Sequence, residues 1–253
     1  MVALTRFDCM IGSSAGQRQA VAQAVHHAAH RRAFGRLLIE QPLMRNVLAD
    51  LHLEVEGSVA LTLRLARALD EADREPERLL FRLGAAVGKY WICKRTPHHA
   101  YEAMECLGGN GVMDNGILAR LYREAPINAI WEGSGNVRAL DVLRALAKTP
   151  AVLEVWHAEL SRAFGLDARL DRAIRRLQDE LADPSDREYR ARALVDQMAL
   201  TLQAALLVRA GCPAVAEAFI AARLGDRNER HYGALPQGLA LATILERAHP
   251  GLS

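Results

Sequence analysis

Apolar side chains recur at spacings of three and four over long stretches without proline, and no convincing period-two run occurs, so the pattern predicts helices throughout. Residues 8–30 form an Ala-rich stretch that ends at Arg31-Arg32-Ala33-Phe34-Gly35. Pro42 opens a second helix over 42–72, in which Val47, Leu51, Val55, Val59 and Leu63 repeat every four residues and Leu43, Leu48 and Leu69 widen the stripe. Arg45, Asp50, Glu54, Arg64 and Arg67 fall on other faces and read as solvated or paired. Pro76 suits the first turn of a third helix over 76–106, which Pro97 should kink or divide. Gly108-Gly109-Asn110-Gly111 stops that helix, an irregular stretch covers 112–135, and a fourth helix covers 136–147.

Thr149-Pro150 is a break. Beyond it, helices are expected over 167–181, 186–210, 214–224 and 237–247, separated at Asp183-Pro184-Ser185 and Gly211-Cys212-Pro213. Four helices with long apolar stripes and short links predict an all-α fold: an up-and-down four-helix bundle over 1–150, followed by an all-helical extension over 151–253.

Composition agrees with this reading. Apolar residues make up 51% of the chain and aromatics 5%, so the core is built from Ala, Leu, Val and Ile. A net charge of +2 gives no whole-chain reason to invoke nucleic acid or an anionic membrane. The cysteines, Cys9, Cys93, Cys106 and Cys212, are scattered singly, which indicates neither a zinc site nor a disulfide framework but thiols in a reducing compartment. No apolar stretch approaches the ~20 residues of a membrane span, and the N-terminus lacks a signal-peptide core, so the expected location is the cytoplasm.

Three places depart from what packing alone requires. Trp131-Glu132-Gly133-Ser134-Gly135-Asn136 sets one carboxylate between an indole and a run of small residues ahead of a helix. Partial desolvation there would raise its pKa and suit it to act as a base toward a weakly acidic C–H, although the same residues also make an ordinary turn with Asn136 as N-cap. Arg31, Phe34 and Gly35, with Gln41 shortly after, could offer a guanidinium to a phosphate and an aromatic ring to a cofactor; a dipole-complementing arginine and a core cap are the plainer alternatives. Glu105-Cys106-Leu107-Gly108-Gly109-Asn110-Gly111 carries more glycine than a C-cap needs and would let backbone N–H groups approach a ligand. Arg123, eight residues before Trp131, reads as a salt-bridged arginine.

Together, R-x-x-F-G after one helix, L-G-G-N-G after another, and L-Y-R-E-x-P followed by W-E-G-S-G-N resemble the C-terminal helical domain of acyl-CoA dehydrogenases. Leu4-Thr5-Arg6-Phe7-Asp8-Cys9, Gln41-Pro42-Leu43-Met44-Arg45, Ile92-Cys93-Lys94-Arg95 and Leu140-Asp141-Val142-Leu143-Arg144 extend the likeness to the AidB-like branch, flavoproteins of the adaptive response to DNA alkylation. The resemblance spans essentially the whole chain. It implies that Glu132 removes the α-proton of an acyl-CoA thioester while hydride leaves the β-carbon for FAD. It also implies that Arg31, Phe34 and Gln41 reach the FAD of a neighbouring subunit, that the stretch Glu105 to Gly109, with Gly108 in it, forms a second cofactor-contacting segment, and that Ser134 and Asn136 meet the adenosine part. Arg6, Trp131 and Gly133 fall on the acyl-CoA side. The implied partners are an acyl-CoA substrate, further copies of the chain as a dimer or tetramer, and electron-transfer flavoprotein as acceptor.

The chain departs from the family at several positions. Glu105 stands where glutamine is frequent, placing a carboxylate beside a pyrophosphate unless it points away, and Ser134 and Asn136 replace threonine and glutamine with shorter side chains. Trp131 stands where tyrosine is common and narrows the pocket over the thioester. Family members carry an N-terminal helical domain and a middle β-domain ahead of this region, so the expectation is an excised or truncated C-terminal part, inactive alone and holding FAD weakly or not at all. DNA association is implied by the resemblance alone: Arg172, Arg175, Arg176, Arg190 and Arg192 are interleaved with Asp167, Asp171, Asp179, Glu180, Asp186 and Glu188, which reads as a solvated, internally paired face. Three classes therefore stand: the C-terminal part of a dehydrogenase, a DNA-associated flavoprotein with vestigial dehydrogenase apparatus, and a non-catalytic helical assembly module.

Overall fold

The computed structural model of the chain describes residues 2–210, 212–225 and 231–249. Gly211, expected as part of a helix break, lies outside the described residues, as do Met1 and the last residues of the expected extension. Eleven α-helices among the described residues carry the fold.

The first helix, α1 (Val2–His30), begins six residues before its expected start. Its buried positions Met10, Ser14, Gln17, Val21, Ala24 and Ala28 fall on one face at spacings of three and four, as an amphipathic helix requires. It is followed by a hairpin that the period-two test missed, because each strand is two residues long: β1 (Arg32–Ala33) pairs antiparallel with β2 (Arg36–Leu37). Phe34 and Gly35 form the turn with φ of 51° and 83°, the double left-handed conformation of the tight hairpin connection.

Helix α2 (Pro42–Asp70) is buried almost all round from Leu48 to Val55, because α1 packs on one side and the later helices on the other. The four-residue repeat expected to form its stripe drifts off the core: Leu43 and Leu63 are 80% and 63% exposed. Helix α3 (Glu75–Gly88) passes through a wide π turn at Lys89–Cys93 into α4 (Lys94–Glu105). Pro97 lies within α4 and removes the amide that would bond the Cys93 carbonyl, so the irregularity falls in the turn just before the proline rather than at it.

The stretch 112–135, expected to be irregular, contains α5 (Leu118–Ile130) with Pro126 inside it, packed against α1 and α4. Helix α6 (Gly135–Lys148) completes the bundle. Pro150 is an N-cap rather than only a break, and it starts α7 (Ala151–Ser161), which sequence reading missed; Trp156 of α7 is fully buried where that helix packs on α3 and α6. The extension continues with α8 (Ala168–Ala182), α9 (Arg187–Arg209), α10 (Pro213–Arg223) and α11 (Leu241–Ala248). The last starts later than expected because Gly238, at φ 87°, turns the chain ahead of it. By length and mean hydropathy (1.3) α9 could cross a membrane, contrary to the sequence reading, yet 61% of its apolar window is buried, and it packs against α2, α6, α8 and α10 as a core helix.

Buried charges join the extension to α2. Arg223 bonds Asp50 at 2.6 Å and lies 3.5 Å from Glu54, while Arg95 bonds Glu54 at 3.1 Å. Burial alone would raise the Glu54 carboxyl, but Arg95 and Arg223 outweigh it and hold it at about 2. Similarly Glu159 of α7 bonds Arg64, Arg162 and Arg209, linking α2, α7 and α9.

Candidate active site

The link between α5 and α6 is four residues long, Trp131 to Ser134, and its backbone is forced into an uncommon shape. Glu132 has φ of 55° and Gly133 of 108°; only the second is a residue that adopts such angles freely. Beneath the link lies Lys89, 1% exposed at the start of the π turn. Its ammonium donates to the Trp131 carbonyl at 2.6 Å and to the Gly133 carbonyl at 3.0 Å, the two carbonyls on either side of Glu132. The guanidinium of buried Arg138 closes the floor so tightly that a Cβ on Gly133 would stand 2.2 Å from its Nη2. The Trp131 indole N–H donates to Asn128 Oδ1 at 3.1 Å, which fixes the ring while leaving it half exposed.

The floor is strongly cationic. Asp141 accepts from Arg6 at 2.7 Å and from Arg82 at 3.1 Å, and Arg138 and Arg144 lie 3.9 Å away. Burial would raise the Asp141 carboxyl, but hydrogen bonds from Arg82 and the nearby Arg6 hold it below the usual range. Burial, with repulsion from Arg6, pushes Arg138 below its ordinary value; burial also lowers Lys89, an effect that the neighbouring Cys93 and Cys9 thiols partly oppose. Burial raises the Cys93 thiol to about 12.

Glu132 itself is exposed, as are Ser134 and Asn136. The enclosure expected from its sequence neighbours is therefore not provided by this chain, because the link bulges outward over its clamp rather than folding the carboxylate beneath the indole. The surface on either side of it is apolar: Ile127, Ile130, Trp131 and Val137 are 44–61% exposed. Ser134, not Asn136, is the N-cap of α6, and its side chain makes no capping bond. Arg6 is turned inward to Asp141, and Arg123 bonds Asp114 at 2.7 Å on the surface, as the plainer reading had it.

A second cluster forms where the end of α1 meets the glycine-rich turn. His27, Arg31, Ala33 and Leu38 face Cys106 to Asn110 across an open groove of about 300 Å³. Gly108 and Gly109 have open space where a Cβ would be, which leaves their backbone approachable. Gln41 is engaged with the hairpin, its amide donating to the Ala33 carbonyl at 3.1 Å. Phe34 projects from the strained hairpin turn, 95% exposed. Glu105 is exposed and is not among the residues lining the groove, so no carboxylate faces it. Arg31 and the glycines are thus brought together, while Ser134 and Asn136 are not among the groove's lining residues.

Sequence reasoning missed Lys89, Arg138 and Asn128. One signal was available for Lys89: it is one of three lysines in a chain whose other basic residues are arginines, and it stands in an otherwise apolar helical run. In the extension, Arg169 and Arg190 are paired with Asp167 and Glu217 and with Glu180 and Asp183. Arg172 and Arg176 line an open groove and Arg175 lies over the Phe164 ring, so the face is less internally paired than its sequence suggests.

Residues 1–147 match the sequence family described as acyl-CoA dehydrogenase, C-terminal domain. The chain is 43% identical to AidB of Escherichia coli (strain K12) over 90% of its own length and 42% of that protein's. Its fold matches the crystal structure of Caenorhabditis elegans ACDH-11 in complex with C11-CoA, with a TM-score of 0.80 and 27% identity, covering 90% of this chain and 44% of that one. An acyl-CoA dehydrogenase from Bacillus anthracis complexed with FAD shares the fold at a TM-score of 0.63 and 15% identity, over 88% and 43% of the two chains. The chain therefore spans about two-fifths of the length of the relatives it matches.

Proposed function

The chain belongs to the acyl-CoA dehydrogenase family, and we propose that it forms the C-terminal part of an FAD-dependent member, with Glu132 as the base that takes the α-proton of an acyl-CoA thioester. The observation that carries this reading is the clamped link: a carboxylate with a left-handed backbone, held by a buried lysine on one side and flanked by exposed apolar side chains, suits a reacting group better than a packing one. Strain kept at one exposed acidic residue contributes nothing to the core.

In this reading Glu132 accepts the proton from the carbon next to the thioester and becomes the neutral acid, while the thioester carbonyl spreads the charge left behind. Ile127, Ile130, Trp131 and Val137 form one wall for the acyl chain, and the rest of the enclosure comes from whatever packs over this face. FAD, when bound, supplies the hydride acceptor. The groove between Arg31 and Gly108-Gly109 fits its diphosphate, offering a guanidinium and backbone with no side chains in the way and no facing carboxylate. Phe34 and its strained turn would reach the cofactor of a neighbouring copy, so the assembly is a homo-oligomer. The chain by itself holds FAD weakly, since the groove it offers the diphosphate is open. A cytoplasmic location and electron-transfer flavoprotein as acceptor complete the proposal.

DNA association gains no comparable support. Arg169 and Arg190 are already paired, leaving Arg172 and Arg176 as the cations of an open groove.

The test is Glu132→Gln in the FAD-loaded polypeptide expressed from the whole reading frame that carries this sequence. Acyl-CoA-dependent reduction of a dye acceptor should be lost; unchanged turnover removes the base assignment.

A further inference from the structure

We propose that Lys89 is the positioning residue of the Glu132 base: its buried ammonium bonds the carbonyls before and after Glu132 and so fixes the direction in which the carboxylate leaves the backbone. The inference rests on the reading of Glu132 as the base.

A buried lysine is ordinarily matched by a carboxylate, because an ammonium removed from water without a counter-charge is strongly disfavoured. Among the described residues no carboxylate hydrogen-bonds or ion-pairs with Lys89. Its two hydrogen bonds go to neutral carbonyls, and the side chains that bear most on its charge are the Cys93 and Cys9 thiols and the Arg138 and Arg6 guanidiniums. Stability alone would favour an apolar side chain at this position, so the cost must be offset by what the two bonds hold in place.

What they hold is a segment that would not keep its shape unaided. Glu132 is a non-glycine residue at φ 55°, and the following Gly133 is at 108°. Trp131 is tied to Asn128, and Arg138 blocks inward collapse at Gly133. Lys89 hydrogen-bonds the residue before Glu132 and the residue after it. The π turn that begins at Lys89 widens the helix at this point, a local distortion that recurs at functional sites. Lys89 touches no substrate in this scheme; it acts through the backbone.

Two arms test this. In the chain of 253 residues, the backbone carbon shifts and the HN–Hα coupling of Glu132 report the left-handed conformation. Lys89→Met should abolish that signature while the α1 and α2 amide resonances stay in place, and Lys89→Arg should retain part of it. In the FAD-loaded polypeptide from the whole reading frame, Lys89→Met should lower kcat about 100-fold with KM changed less than about threefold, since misdirection of a catalytic group by roughly 1 Å has that effect. A Lys89→Met variant that keeps both the signature and kcat overturns the proposal, as does loss of the signature with unchanged kcat in an enzyme that Glu132→Gln inactivates. If Glu132→Gln is itself fully active, the base reading has failed, and the backbone signature alone then decides whether Lys89 holds the turn. Should Lys89→Met not fold, correlations across the hydrogen bonds from the Lys89 nitrogen to the Trp131 and Gly133 carbonyl carbons in the unsubstituted chain decide the matter; their absence overturns the latch.

Discussion

Replacing Arg223 with methionine keeps the apolar stem of the side chain but removes the guanidinium that serves two carboxylates, each side chain 2% exposed. Breaking a buried ion pair from one side ordinarily costs about 3–5 kcal/mol because the remaining charge stays buried. Here part of that cost is relieved: Glu54 keeps Arg95 at 3.1 Å, and Asp50 keeps the Gly233 amide at 2.9 Å. The expected loss at pH 7 is therefore about 2–4 kcal/mol, discounted from the full penalty. The pH dependence follows from Glu54, whose carboxyl titrates at about 2 in the folded chain against 4.5 ordinarily. A lowered folded pKa means that the contribution is complete above 4.5 and disappears as pH falls through about 2; the displacement corresponds to roughly 3 kcal/mol. Urea unfolding of both chains at intervals from pH 7 down to pH 2.5 should show the gap between them shrinking to less than about 1 kcal/mol as Glu54 protonates. Equal stabilities at pH 7, or a gap that does not change with acid, would refute the claim that these charges secure α10 to α2.

Two further substitutions separate local strain from packing. Gly108→Ala adds a methyl at φ 60° with nothing within 4 Å, and should cost about 1 kcal/mol; Gly133→Ala combines φ 108° with the Arg138 guanidinium 2.2 Å from the new Cβ, and should cost about 2–3 kcal/mol. Urea midpoints that rank the two variants the other way would show that the floor under Gly133 yields. Trp156→Phe should cost only about 1–2 kcal/mol, because the buried indole nitrogen has no partner to lose, against about 3–5 kcal/mol for Trp156→Ala. A Phe variant as damaged as the Ala variant would mean that the nitrogen is bonded after all.

The long helices were legible because their burial repeats near 3.6 residues, as the buried face of α1 illustrates. A strict four-residue repeat, however, rotates by about 40° per step around a helix, which is how Leu43 and Leu63 of the expected α2 stripe end in solvent. Proline misled at one point: Pro150 reads as a break in the sequence, yet it caps α7, whose packing on α3 and α6 no local pattern shows. The irregular stretch expected over 112–135 is likewise helical over α5, with Pro126 inside it, because α1 and α4 pack against it. At the site, the residue types that carry chemistry stood out, since a lone glutamate in a Trp-to-Gly run and a triple-glycine turn are conspicuous in a helical chain. The clamp did not. Lys89 lies 42 residues from Trp131 and 44 from Gly133, so its two bonds depend on how the π turn between α3 and α4 sits beneath the α5–α6 link, which no local pattern encodes. The exposure of Glu132 was likewise misjudged, because small neighbours permit a close fold over a carboxylate but do not compel one.

Proton exchange at the α-carbon is the most direct test of the Glu132 assignment. The FAD-loaded polypeptide from the whole reading frame is incubated with a saturated acyl-CoA in deuterium oxide without an electron acceptor, and label at C2 is followed by NMR, with Glu132→Gln alongside. Incorporation in the unsubstituted protein and none above background in the variant is the expected result. Equal incorporation in both would contradict it, since some other group would then be removing the proton.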